Sequence, residues 1–219
     1  MIKIERVHID GFEAAFRGMR NPLESWDKSD SNWEDGTIGE NDLMLAKKLS
    51  KAGSDHSKFL RMINVTADIT APLYWWKEYD TYKVGTVANS CSTMHKIHAK
   101  EFTHADFSLE HIGDVPNDNP LYEITFYRII VALNEARRCF LVTKDKRYWW
   151  QMIQLLPSSY NQTRTVQLNY QVLKNMYHAR NNHKLDEWKS FCEWALNLPY
   201  FKAICVDGQT DDVHGGITQ

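Results

Sequence analysis

The chain has 219 residues, 43% of them hydrophobic and 12% aromatic, which is enough for one well-buried core and too apolar for a disordered or fibrous protein. Its 26 Lys+Arg nearly balance 28 Asp+Glu, which excludes both the global basic field that holds a nucleic-acid backbone and the acidic excess of a solvating tail. The cysteines are Cys91, Cys139, Cys192 and Cys205, and their spacings exclude the close pair of a zinc knuckle or thioredoxin-type redox site, so reduced thiols and a cytoplasmic setting are expected.

In chain order, Met1 to Val7 alternates charged with apolar residues and lacks the unbroken apolar run of a signal peptide or membrane span, so a soluble chain with no membrane partner is expected. Residues 21–42 are crowded with Asp, Glu, Ser and Gly, including Glu24, Asp27, Asp30, Glu34 and Asp35, and read as a surface loop. Asn41 or Asp42 then caps a short helix with Leu45, Ala46 and Leu49 on one face and Gly53 at its left-handed end.

From Ile63 to Thr70, apolar Ile63, Val65, Ala67 and Ile69 alternate with polar residues, the period of a half-buried strand. Ala71-Pro72 follows, and Pro at a first helical position suits the aromatic run Leu73 to Tyr79 because its missing N–H is not needed there. Val84 to Thr93 is small and hydroxyl-rich, which favours exposed backbone donors and a ligand-facing loop.

Asn119-Pro120 is a cap and first-turn pair for a long helix reaching Val142, and a further helix runs through Tyr148 to Leu155 and stops at Pro157. Val166, Val172, Leu173, Met176 and Tyr177 mark another helical face, and Trp188, Cys192, Ala195 and Leu196 a last one. The expected architecture is therefore α+β: a helix-rich single domain over residues 1–206 with a small antiparallel sheet, followed by a flexible tail at 207–219.

The order of helix, Gly turn, alternating strand ending in Ala-Pro, aromatic helix and polar loop resembles the flavin-dependent thymidylate synthases over roughly Leu43 to Leu196. Leu156-Pro157 followed by Asn169, Leu173, Asn175 and Arg180 is similar to the most specific part of that family's pattern. The resemblance implies that Asn169 and Asn175 contact FAD and that Arg180 polarises the pyrimidine ring of the nucleotide. It further implies a homotetramer that methylates dUMP to dTMP, with NADPH and methylenetetrahydrofolate as co-reactants.

The family signature Arg-His-Arg-x-x-Ser-x-Asn-Glu-x-Ser-x-Arg-Tyr is rewritten here. Counting from Ala71-Pro72 sets Thr81-Tyr82-Lys83 at its first three positions, followed by Thr86, Ala88, Asn89, Cys91, Thr93 and Met94. A shift of one residue in the later part aligns Asn89 with the motif Asn and Ser92 with its Ser, leaving Ser90 for the Glu and Met94 for the last Arg. Either register removes at least two arginines, and a further phosphate-binding arginine falls at Ile153. Each lost guanidinium-phosphate contact costs about 1.5–3 kcal/mol, so weaker binding of anionic ligands is expected.

By the same resemblance, Tyr82 and Lys83 join Asn169 and Asn175 on the cofactor side, Lys83 as a point charge without the guanidinium fork. Glu78, where the family has a glutamine facing the nucleotide, joins Asn89, Ser90, Cys91 and Ser92 on the substrate side. Cys91 sits among hydroxyl residues, where a thiolate attacks an electron-poor pyrimidine carbon if a cation lowers its pKa, against the plain reading of an incidental cysteine. The plain readings elsewhere are a surface ion pair for Arg180, solvated amides for Asn169 and Asn175, a solvated Lys83, and core for Trp75-Trp76 and Trp149-Trp150. His95, His98, His104 and His111 match no compact metal-ligand spacing, so no metal is expected.

Two functions compete on these residues: a flavin-dependent enzyme acting on a pyrimidine nucleotide, and a non-catalytic nucleotide-binding or regulatory protein that keeps the fold. A pyrimidine modification other than methylation is a third.

Overall fold

The computed structural model describes residues 2–113 and 120–207. Asn119, expected to cap the long helix, and the tail beyond Asp207 lie outside the described residues. The fold is α+β, rich in helix, with one four-stranded antiparallel sheet in the order β1-β2-β4-β3, where β1 is Lys3–Asp10, β2 Asn64–Pro72, β3 Val87–Ser90 and β4 Asn161–Asn169. The helices are α1 Phe12–Arg20, α2 Glu40–Lys51, α3 Leu73–Tyr79, α4 Thr93–Lys96, α5 Leu121–Thr143, α6 Lys146–Leu155, α7 Tyr170–Arg180 and α8 Asp186–Leu196, with a π-helical turn at Lys202–Val206. None of the described helices is long and apolar enough to cross a membrane.

The described residues fall into two compact units, one within Met1–Glu5, Asp68–Thr81 and Ala88–Thr165, the other within Arg6–Ala67, Tyr82–Val87 and Val166–Gln219. In the first, α5 packs on α6 around a core that includes Phe102, Phe107, Phe126, Ile130, Leu133 and Met152. The pair Trp75 and Trp76 on α3 is core, as expected, whereas of the second pair Trp149 is partly buried and Trp150 is 44% exposed. In the second unit α7 packs against α8 and the 3₁₀ turn Ser57–Met62, with Phe59, Leu173, Met176 and Trp188 buried. Edge-to-face contacts of Phe12 with Tyr170 (5.6 Å) and of Phe16 with Phe59 (6.2 Å) add directional packing there.

Strand β2 buries Val65, Ala67, Ile69 and Ala71 while the intervening residues are half-exposed, so the alternation read from the sequence is the real one. Pro72 stands one position earlier than expected, as the N-cap of α3 at ψ 152°. Three expectations are corrected. Val166 belongs to β4, not to a helix: β4 is polar along most of its length, so its inward Val166 and Leu168 merge by eye with the helical run that follows. Val87 to Ser90 is a strand at the sheet edge, every residue exposed, so the expected loop keeps its exposure but carries a ladder. Helix α2 is capped neither by Asn41 nor by Asp42; it starts at Glu40 after Gly39, and its free N–H groups at Asn41 and Asp42 donate to the carboxylate of Asp30, at 2.9 and 3.1 Å.

Asp42 is instead wholly buried. Arg20, 5% exposed, donates from Nε to Asp42 Oδ1 at 2.6 Å and from its other nitrogens to the carbonyls of Ser25 (3.2 Å) and Lys28 (3.0 Å). The hydroxyls of Ser29 and Ser31 both donate to Asp42 Oδ2 at 2.6 Å. The segment 21–42 is therefore a loop built around an interior ion pair, with short 3₁₀ turns at Asn21–Leu23 and Trp26–Lys28 and a bridge between Asn32 and Thr37.

Burial pushes the Asp42 carboxyl up, but hydrogen bonds from Ser29, Ser31 and Arg20 outweigh it and hold the group below its ordinary value. A carboxyl depressed on folding stabilises the fold above its unfolded pKa, near about 3.9, and loses that contribution as pH falls through the folded value. Asp42→Asn leaves Arg20 buried without its counter-charge, so urea unfolding at neutral pH is expected to show a loss of about 3–5 kcal/mol. The deficit should shrink as the pH is lowered below the ordinary carboxylate range; a deficit constant with pH would show that the charge of Asp42 is not what stabilises.

Candidate functional site

The ten residues singled out from the sequence divide evenly between the units: Tyr82, Lys83, Asn169, Asn175 and Arg180 in the second, Glu78, Asn89, Ser90, Cys91 and Ser92 in the first.

In the second unit Asn169 ends β4 and caps α7, its Oδ1 accepting from Val172 N at 3.1 Å. With the oxygen engaged, the amide NH2 is the part a ligand can meet, and Asn169 is a donor by position. The segment 82–87 lies against this helix start, because Gly85 sits at φ +78° and a Cβ there would be 2.9 Å from Val172 Cγ2 and 3.2 Å from Asn169 Nδ2. A side chain at residue 85 is excluded twice, by backbone conformation and by space.

Arg180 closes the same helix at its C-terminal end, where a cation complements the helix dipole. Its Nε donates to the hydroxyl of Tyr82 at 3.0 Å, and its guanidinium lies 5.1 Å from the ring centre of Trp188 and 5.7 Å from that of Tyr82. Trp188 is fully buried and makes edge contacts with Phe191 (5.5 Å) and Tyr82 (6.1 Å), so the aromatic support is rigid. Tyr82 is held at its other end as well, its carbonyl accepting from the hydroxyl of Thr86. Trp188 was absent from the sequence-level candidates because its helical spacing with Cys192 and Ala195 reads as core; only the fold sets it beneath a cation.

Asn175 is exposed on α7, its Oδ1 accepting from Gln171 Nε2 at 3.1 Å, so it too offers its NH2 outward. The two asparagines occupy different surroundings, as their spacing of six residues requires. Lys83 is exposed, as is the whole stretch 83–85.

In the first unit Asn89 and Ser90 are exposed on β3, and Cys91 follows with its N donating to Thr163 O at 2.9 Å and its carbonyl accepting from Gln162 Nε2 at 2.8 Å. Gln162 Oε1 accepts in turn from Arg164 Nε at 2.9 Å, while Arg164 lies 4.2 Å over the Trp76 ring and pairs with Asp80 at 2.7 Å. Asp80, Arg164 and Gln162 thus fix the backbone that presents the exposed Cys91, and strand pairing is the only signal that would have found them. Ser92 caps α4, its Oγ accepting from His95 N at 3.0 Å, which leaves its O–H to donate. Glu78 is half-buried on α3.

Ile153, at the position of a phosphate-binding arginine by the resemblance, is partly buried against the apolar core of the first unit. Among the described residues no group of three His, Cys, Asp or Glu side chains is placed to hold a metal.

No family model matches the chain, and no curated protein matches it. Solved structures do. The flavin-dependent thymidylate synthase ThyX from Helicobacter pylori, complexed with FAD and dUMP, superposes with a TM-score of 0.67 at 18% identity over 93% of this chain and 99% of that one. A second structure of the Helicobacter pylori enzyme with FAD and dUMP gives 0.68 at 17% identity over 94% and 98%. The UMP/dUMP methylase PolB from Streptomyces cacaoi, bound with 5-Br dUMP, gives 0.63 at 14% identity over 89% and 88%. The chain has the fold of the flavin-dependent thymidylate synthases.

Proposed function

We propose that the protein is a cytoplasmic, flavin-dependent enzyme of the thymidylate synthase type that binds and modifies a pyrimidine nucleotide, with residues 1–206 as one functional domain. The observation that carries this reading is Arg180, held against Trp188 and Tyr82 in a fold whose solved representatives contain dUMP. A guanidinium fixed by packing is pre-organised, and it stabilises negative charge developing on a pyrimidine ring without first having to reorient. Within the first unit, Glu78, Asn89, Ser90, Cys91 and Ser92 are proposed by the resemblance as nucleotide-binding residues, with the Ser92 hydroxyl as a donor.

The donor set of the second unit fits FAD. The NH2 of the exposed Asn175 and that of Asn169 beside the Gly85 turn are donors for a flavin ring, Tyr82 adds an aromatic face, and Lys83 is a point charge for phosphate. Bound flavin supplies the hydride, with NADPH as its reductant and methylenetetrahydrofolate as the carbon donor. What the chain's own residues do is bind, orient and polarise.

The second reading, a non-catalytic nucleotide-binding or regulatory protein, is favoured by the neutral residues at the cationic positions of the family: Thr81, Tyr82, Met94 and the core-packed Ile153. Calorimetry with dUMP tests the nucleotide, and flavin absorbance separates the two readings.

Arg180→Ala is expected to weaken dUMP about 10–100-fold, the loss of a charge-assisted contact. Its unfolding free energy should fall by about 1–3 kcal/mol, for the lost bond to Tyr82 and the lost ring contacts with Tyr82 and Trp188. A wild-type chain that binds no pyrimidine nucleotide, or a variant that binds it equally well, overturns the assignment. FAD is expected to be held weakly, so the purified protein should be colourless and gain bound-flavin absorbance on titration. Tight FAD that copurifies would show that charge lost at residues 81–83 is immaterial.

The assembly we propose is a homotetramer. Helix α5 leaves Leu121, Ile124 and Val131 between 44% and 53% exposed and Tyr127 59% exposed, an apolar stripe at three- to four-residue spacing that a second copy would cover. Light scattering should give four times the chain mass of 25.6 kDa, and a monomer would sink the proposal.

A further inference from the structure

Strand β1, Lys3–Asp10, is an edge of the sheet: β2 pairs with one side of it, and among the described residues no strand pairs with the other. Its eight residues are long for an open edge, whose N–H and C=O groups are a template for another chain. The burial pattern is the same from either end, with Ile4 and Ile9 half-buried and the other six residues exposed. On a regular strand, residues five apart point to opposite faces. The kink at Arg6, at φ +52°, resets the alternation, so that Ile4 and Ile9 share the packed face and Lys3, Glu5, His8 and Asp10 the open one. Two ion pairs along the strand agree with this: Lys3 lies 2.9 Å from Glu5, and His8 3.9 Å from Asp10.

Charges and a kink on an edge strand ordinarily protect it from pairing. That account explains why charges are present and leaves their order unexplained. Laid antiparallel against a second copy, about a two-fold axis between Arg6 and Val7, the strand sets Lys3 opposite Asp10, Ile4 opposite Ile9, Glu5 opposite His8 and Arg6 opposite Val7. Lys3 meets a carboxylate, Glu5 a ring N–H that donates to it, and the isoleucines meet each other, while the Arg6 stem covers Val7. The two kinks fall opposite one another, so the ladder stays in step on either side of them. Sliding the register by one residue sets Arg6 against Arg6 or against His8, and puts each isoleucine opposite a polar residue.

We propose that β1 is a homotypic interface, pairing antiparallel with β1 of a second copy in this register and joining the two sheets edge to edge. The inference rests on the homotetramer, which needs two kinds of two-fold contact; the α5 stripe supplies one and β1 the other. It uses none of the residues assigned to nucleotide or flavin.

Light scattering over a dilution series tests the charges, with circular dichroism confirming that each variant is folded. Lys3→Glu and Asp10→Lys, each alone, put like charges opposite each other at both ends of the strand pair, and each is expected to raise the dissociation constant of the assembly about tenfold. The double variant Lys3→Glu/Asp10→Lys restores opposite signs and should restore the wild-type constant. Single variants that associate as the wild type does, or a double variant no better than the singles, overturn the proposal. Disulfide trapping tests the register, in a Cys91→Ser/Cys139→Ser background that leaves only the buried Cys192 and Cys205. Chains carrying Glu5→Cys coexpressed with chains carrying His8→Cys should cross-link on mild oxidation. Either variant alone should not, because its two thiols are roughly 10 Å apart across the two-fold axis, beyond disulfide reach. Cross-linking by one variant alone as readily as by the mixture overturns the register. No cross-link in a mixture that scatters as a tetramer overturns the β1 interface and leaves the tetramer standing, and a wild-type chain that scatters as a monomer overturns both.

Discussion

The second unit is organised around one buried ion pair. Arg20 ends α1 and Asp42 lies in the first turn of α2, 22 residues on, and every polar atom of the pair is engaged by the chain between them: two carbonyls on the guanidinium side, two serine hydroxyls on the carboxylate side. An isolated charge at either position would be prohibitively desolvated, so the pair forms only when the whole segment closes around it. That closure fixes the start of α2, and α2 carries Ser50 to where Lys174 of α7 can bond it. Helix α7 in turn has Asn169 at one end and Arg180 at the other. The geometry of the candidate ligand groups in this unit is downstream of an interaction far from them in sequence.

What the sequence made legible follows from which forces act locally. The alternation of β2, the Pro72 entry to α3 and the periodic faces of α5, α6, α7 and α8 are local burial patterns and could be read directly. Strand β4 could not, because Asn161, Gln162, Thr163, Arg164 and Thr165 hold their place through partners on other strands and helices, the hydrogen bond between Thr70 and Thr163 (2.7 Å) among them. The acidic look of residues 21–42 misled for a similar reason. Asp30 and Asp42 are chemically like Glu24 and Glu34, and only the fold turns one into a helix cap and the other into an interior anion.

The candidate residues show the same division. The family resemblance brought Asn169, Asn175 and Arg180 forward, but not that the first would be a capping residue whose oxygen is spoken for, nor that the last would rest on a buried tryptophan. Where the family's signature carries cations, this chain has Thr81, a Tyr82 whose hydroxyl accepts from Arg180, and an exposed Lys83. Helix α7 carries Lys174 and Arg180, and a helix is a stiffer mount for a charge than an exposed turn.

Gly85 sets the terms on which the segment 82–87 can change. A methyl group at that position meets Val172 and the Asn169 amide at once, so variation there disturbs the cap of α7 as well as the turn. Lys83 and Val84 beside it are exposed and touch little. A library built to redirect ligand choice would therefore find its freedom at 83 and 84 and carry backbone strain and a displaced α7 cap whenever it drew anything but glycine at 85. The turn is an adjustable lip on a fixed hinge pin, and new binding preferences can be explored on it without unfolding the helix that holds Asn169 and Arg180.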